Sequence, residues 1–104
     1  MKINCECGWV ISDIADFLPN KAHLIPDQDW FTLWDSIEEA IENPGSTPKE
    51  RADRCMRLRQ IRLFRMAWQC PECGRLFVDD QAHELQLFVP SSPETSKSIF
   101  GRNR

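Results

Sequence analysis

CPECGRLFV, residues 70–78, decides how the rest of the chain is read. Cys70 and Cys73 are separated by two residues, with Pro71 to bend the backbone and Gly74 to supply the conformation that a tight sulfur-bearing turn needs. Behind them, Arg75-Leu76-Phe77-Val78 reads as a strand leading to a turn at Asp79-Asp80-Gln81. Glu84 to Val89 reads as the returning strand, with Leu85, Leu87 and Val89 on one face. The same signature occurs once more near the start, in Cys5-Glu6-Cys7-Gly8, set within INCECGWVI (residues 3–11), which reads as strand, turn and strand. Cys5, Cys7, Cys70 and Cys73 together supply four thiolates. Zinc prefers four sulfurs at about 2.3 Å in a tetrahedron, and such a closed set leaves no position for water or substrate. One structural Zn2+ is the expected cofactor; iron also takes four thiolates. His23 and His83 stand in no close-spaced pair with a cysteine and read as surface or core histidines. Cys55 falls on a helix face and reads as a small buried hydrophobe.

The paired motifs resemble the zinc ribbon families, in which two cysteine-bearing knuckles on β-hairpins clamp one ion. The resemblance rests on residues 1–11 and 66–89, and CPECG followed by RLFV carries most of it. The first knuckle departs from the pattern, with one residue between its cysteines where the usual ribbon has two. In addition, 62 residues lie between Cys7 and Cys70, far more than a simple ribbon's connection. Closing a longer loop costs only a logarithmic increment, so a folded insertion is tolerated there.

That insertion reads as two helices. From Gln28 to Asn43, Trp30, Leu33, Trp34, Ile37, Ala40 and Ile41 recur at three and four, with Asp27 or Asp29 as cap. Asn43-Pro44-Gly45-Ser46 stops this helix. Thr47-Pro48-Lys49-Glu50 has the form of a capping box that starts the next, which runs to Ile61 or Phe64 with Ala52, Cys55, Met56 and Leu63 inward. A turn this short makes the helices antiparallel neighbours. The segment from Ser12 to Asp27 has no sustained period and reads as an ordered loop anchored by Phe17, Leu18, Leu24 and Ile25. The expected fold class is α+β: zinc-ribbon β-hairpins formed by the two chain ends, with a two-helix hairpin inserted between the cysteine knuckles. One domain over residues 1–89 holds the insertion at about 28–64, and the small, polar residues 90–104 read as a flexible tail.

The net charge of -3 conceals a segregation. Residues 1–46 carry nine acids and two bases, and residues 47–77 eight bases and three acids. Arg51, Arg54, Arg57, Arg62 and Arg65 invite a nucleic-acid reading of the second helix. The acids of the first helix offer a competing one, in which antiparallel packing neutralises the arginines within the molecule. With no catalytic motif and a saturated metal site, a binding protein is expected rather than an enzyme. The expected partner is a protein, met by Asp27, Asp29, Trp30, Trp34, Glu38, Glu39 and Glu42, since acidic surfaces steer basic ones and tryptophans anchor interfaces. HLIPDQDW (residues 23–30) before an acidic helix, with a ribbon at the end, is similar to small bacterial proteins encoded beside polymorphic toxins. That resemblance implies an immunity protein that occludes a toxin domain. No apolar stretch approaches about 20 residues and no export signal opens the chain, so no membrane partner and a cytoplasmic location are expected.

Overall fold

A computed structural model of the chain describes residues 1–80, 82 and 84–102; Gln81 of the expected turn, and His83, lie outside them. The fold is mixed α and β, with two helices and two antiparallel sheets. It divides into two compact units: Met1–Leu24 with the chain from Arg65 onward, and Ile25–Phe64. No helix is long and apolar enough to cross a membrane.

In the first unit, β1 (Lys2–Asn4) and β2 (Val10–Ser12) form a hairpin whose Ile3 faces Ile11 across the strands. The second sheet has the order β3 (Lys21–Leu24), β4 (Arg65–Gln69), β5 (Leu76–Asp79), β6 (Leu85–Phe88). Its central pair sets Trp68 opposite Phe77. Strand residues alternate between faces, so each hairpin presents one apolar cross-strand pair to the same side. Ile3, Ile11, Trp68 and Phe77 then pack into a single core that also contains Cys5 and Cys70, with Met66 and Cys73 against it. The Trp68 indole N–H finds its acceptor in Asp13 Oδ2 at 3.2 Å, and Lys21 Nζ donates to Asp13 Oδ1 at 2.9 Å.

β3 occupies part of the stretch expected to be loop. KAHL has only Ala22 and Leu24 as a short, weakly apolar alternation, and it pairs with β4, with Lys21 opposite Trp68 and Leu24 opposite Arg65. Of the expected anchors, Leu18 and Ile25 are half-buried, Leu24 is exposed, and Phe17 is 96% exposed at a positive φ of 61°.

Gln69 is the buried polar residue of the sheet, at 2% exposure. Its backbone amide donates to the Asn20 carbonyl at 2.8 Å, and its own carbonyl accepts from Asn20 Nδ2 at 3.1 Å. Its Nε2 donates to the carbonyls of Gly74 and Ser96 at 3.3 and 2.9 Å, and its Oε1 accepts from the Ile99 amide at 3.0 Å. Every polar group of this side chain is thereby matched, as burial requires. The chain beyond Pro90, which composition alone reads as a flexible tail, supplies two of those partners.

The second unit is a hairpin of α1 (Asp27–Glu42) and α2 (Pro48–Arg59). α1 starts at Asp27 behind Pro26 and has no side-chain cap; Asp27 and Asp29 lie in its first turn, where acids suit the positive helix end. Thr47 caps α2 as expected, its Oγ1 accepting from the Glu50 amide at 3.2 Å. The Glu50 carboxylate reaches one residue further back than a capping box does, to the Ser46 amide at 2.7 Å. Gly45, at φ 92°, makes room for it: a Cβ there would meet Glu50 Cβ at 2.5 Å. α2 ends at Arg59, earlier than expected. Arg54, Arg57 and Leu58 of α2 and Ile61 beyond its end line, with Ser36, Glu39 and Ala40, an open space between the helices. Ala52, Cys55 and Met56 are exposed, so Cys55 is not the buried hydrophobe its spacing implies.

Replacing Gln69 by Leu strands the Ser96 carbonyl and the Ile99 amide. The expected outcome is a loss of about 1–3 kcal/mol in denaturant unfolding, with hydrogen exchange at the Ile99 amide accelerated more than in β5. Unchanged protection of Ile99 would show that the C-terminal segment is held by something other than Gln69.

Candidate metal centre

Each cysteine pair sits at the tip of a hairpin, Cys5 and Cys7 between β1 and β2, Cys70 and Cys73 between β4 and β5. The two tips are built alike. The first cysteine's amide donates to the carbonyl just after the glycine, Cys5 to Trp9 at 2.9 Å and Cys70 to Arg75 at 2.8 Å. The glycine amide donates back to the first cysteine's carbonyl, Gly8 to Cys5 at 3.0 Å and Gly74 to Cys70 at 2.8 Å. Gly8 and Gly74 both hold positive φ, 101° and 84°, which L side chains rarely adopt. The second sulfur of each pair accepts from the amide two residues on, Cys7 from Trp9 and Cys73 from Arg75. The single-residue spacing of the first motif is thus a contraction of the second: one residue is removed and the closing bonds are kept.

The four sulfurs lie within 4.8 Å of one another. Cys5 Sγ is 3.5 Å from Cys73 Sγ and Cys7 Sγ is 3.6 Å from Cys70 Sγ, so the sulfurs of the two tips are in contact. A tetrahedron with arms of about 2.3 Å has edges of about 3.8 Å, and these separations match that shape. All four cysteines are free thiols. Cys5 and Cys70 are buried in the core, Cys73 is half-buried and Cys7 exposed, so each tip contributes one inner and one outer sulfur. The set is compatible with one four-coordinate metal ion.

Proton affinities within the cluster diverge. Burial pushes the Cys70 thiol up to about 12, against the opposing pull of the Cys73 and Glu72 amides. Burial also acts upward on Cys73, but the Arg75 amide and the thiols of Cys5, Cys7 and Cys70 outweigh it and bring Cys73 down to about 6. For Cys7 the Trp9 amide pulls downward, yet burial and neighbouring thiols leave it raised. Arg75 Nη1 donates to Cys73 Sγ at 3.4 Å, and that contact raises the affinity of the guanidinium for its proton. Its Nε is buried without a hydrogen-bond partner among the described residues. A divalent ion held by four thiolates would leave two negative charges, one of which the guanidinium beside Cys73 would offset.

Three supports of this centre were not visible as such in the sequence. Arg75 follows the CPECG motif directly, which was signal enough to have marked it. Asp13 and Gln69 have no local signature, because their partners come from β4 and from the C-terminal segment. The residues expected to meet a protein all lie on α1: Asp27, Trp30, Trp34, Glu38, Glu39 and Glu42 are exposed and Asp29 half-buried. Trp30 and Trp34 meet edge to face with ring centres 5.8 Å apart. The arginines of the nucleic-acid reading are dispersed: Arg51, Arg54 and Arg57 on α2, Arg62 beyond its end, and Arg65 on β4. Among the described residues no ion pair joins the acids of α1 to the arginines of α2, contrary to the self-neutralised arrangement. Arg54 instead donates to the Asn43 carbonyl.

The family model described as a domain of unknown function, DUF8617, matches residues 1–95. No curated protein and no solved structure matches the chain.

A metal ion must displace protons from this cluster, that of Cys70 among them, so its affinity rises with pH. Metal affinity is expected to fall as pH is lowered, and more steeply below about 6, where Cys73 too must give up a proton to bind the ion. Native mass spectrometry should find one zinc per chain, lost together with folded structure on strong chelation. A protein that folds equally well without metal would overturn the assignment, and iron in the purified centre would change the ion. Cys70→Ser is expected to abolish stoichiometric loading.

Proposed function

We propose that this chain, which belongs to the DUF8617 family, is a zinc-stapled protein-docking module. The two tipped hairpins form a zinc ribbon that fixes the scaffold, and the α1–α2 hairpin inserted in it is the surface a partner meets. The closed set of four sulfurs within 4.8 Å carries this reading. Four donors saturate the ion and leave nowhere for a substrate to bind, so the metal serves folding and catalysis is not proposed. A structural zinc contributes roughly 10 kcal/mol or more of apparent folding free energy, comparable to the net stability of a small domain. The two thiols displaced furthest from their ordinary proton affinity, Cys70 and Cys73, belong to the cluster itself.

The docking role is supported by α1. It carries six acids and no base, it has no buried residue, and Trp30 and Trp34 stand exposed among the carboxylates. Occlusion of a basic toxin domain by an immunity protein is the most specific form of this reading. It calls for the reducing cytoplasm, where thiols remain available to the ion. One observation favours a second reading: Arg51, Arg57 and Arg62 are exposed and paired with no acid of α1, as a nucleic-acid backbone contact requires.

Affinity purification of the full chain from its native cell tests both. The expected result is one stoichiometric protein partner, lost when Glu38→Lys and Glu42→Lys are combined while zinc content is unchanged. A partner indifferent to that reversal would remove α1 from the site. Salt-labile nucleic acid, lost with Arg51→Glu and Arg57→Glu, would replace protein docking by the second reading.

A further inference from the structure

Neither helix of the hairpin has a fully buried side chain, and part of its apolar surface stands exposed. α1 turns Leu33, Ser36, Ile37 and Ala40 inward, half-buried. Trp30, Phe31, Trp34 and Ile41 recur at three, four and seven and form a second stripe, with Phe31 73% and Ile41 71% exposed. Asp35, Glu38 and Glu42 run along it. α2 has its own second stripe, the exposed Ala52, Cys55 and Met56, with Lys49, Arg51 and Arg59 beside them. One stripe is apolar and acidic, and the other is apolar and basic.

We propose that the occupant of this surface is a second copy of the same chain. The copies dock about a twofold axis, the acidic stripe of α1 against the basic stripe of the other copy's α2 and the reverse, closing a four-helix bundle. This rests on the reading of the hairpin as a protein-docking surface and names the partner of that surface. A twofold interface brings a patch against itself in reverse, so it must be self-complementary. A hairpin with six acids and no base on one helix, and five bases against two acids on the other, meets that condition. These charges are also left over inside the chain, where no ion pair joins the helices among the described residues. Pairing them across the axis compensates both helices and covers both apolar stripes, in the antiparallel packing usual for bundles.

The test is the mass of the zinc-loaded full chain in solution, by light scattering and sedimentation across micromolar to millimolar concentration. Twice 12.2 kDa is expected, with self-affinity weakened roughly tenfold between about 50 and about 500 mM salt. Glu38→Lys with Glu42→Lys leaves one acid and two bases in the stripe of Asp35, Glu38 and Glu42, so both stripes are basic; Arg51→Glu with Arg59→Glu leaves one base and two acids in the stripe of Lys49, Arg51 and Arg59, so both are acidic. Each variant alone should be a monomer, and their equimolar mixture should recover a dimer. A wild-type monomer at every concentration overturns the proposal, as does a dimer that survives both reversals. A monomer that still captures a host protein through α1 leaves the docking reading standing without self-association; a monomer that captures none removes both. If a variant fails to fold, the wild-type mass and its salt response decide.

Discussion

Three-residue strands do not hold a hairpin together, and β1 and β2 are that short. What constrains them is the convergence of four sulfurs at the tips of two hairpins, and the rest of the first unit is arranged around that point. Each hairpin brings one cross-strand apolar pair, Ile3 with Ile11 and Trp68 with Phe77, and one inner sulfur, so the core and the sulfur cluster are one body. Polar residues brace it from three sides. Asp13 holds the Trp68 indole, Gln69 binds the C-terminal segment beside Cys70, and Arg75 faces the outer sulfur of Cys73.

Much of this was legible because the chemistry of the ligands is local. Two tight cysteine pairs, each followed by glycine, disclose the four sulfurs without reference to the rest of the fold. Thr47-Pro48 likewise marks the start of α2, since a cap is decided by three or four neighbouring residues. The failures are all long-range. β3 pairs along the ladder that β4 presents, and the two-residue alternation of Ala22 and Leu24 is too short and too weakly apolar to announce it. Helical spacing alone points Ala52, Cys55, Met56 and Leu63 inward; of these Leu63 is half-buried and the others are exposed, while Arg54 and Leu58 of α2 and Ile61 beyond its end line the space facing α1. The segment beyond Pro90 reads as tail because its side chains are small and polar, but its contribution is made by a backbone carbonyl and a backbone amide, which side-chain composition does not display.

Charge is handled differently in the two units. In the first, opposite charges meet: Lys21 with Asp13, and Arg75 with the sulfur of Cys73. Asp13 is held below the ordinary carboxylate range, by Lys21 first and by the Trp68 indole with it, despite the opposing effect of burial. In the helical unit no ion pair joins the acids of α1 to the arginines of α2 among the described residues, although Glu39 lines one space with Arg54 and Arg57, and the bond that Arg54 makes is to a carbonyl.

The turn between α1 and α2 divides the molecule in a way its continuous chain conceals. One piece ends with α1 and holds β1, β2, β3, Cys5 and Cys7; the other begins with α2 and holds β4, β5, β6, Cys70 and Cys73. Each owns two sulfurs and one side of the β3–β4 ladder, so neither contains a complete ligand set. A cut at Asn43–Thr47 would divide the four sulfurs two and two, so that reassembly of the fragments and closure of the cluster would be the same event.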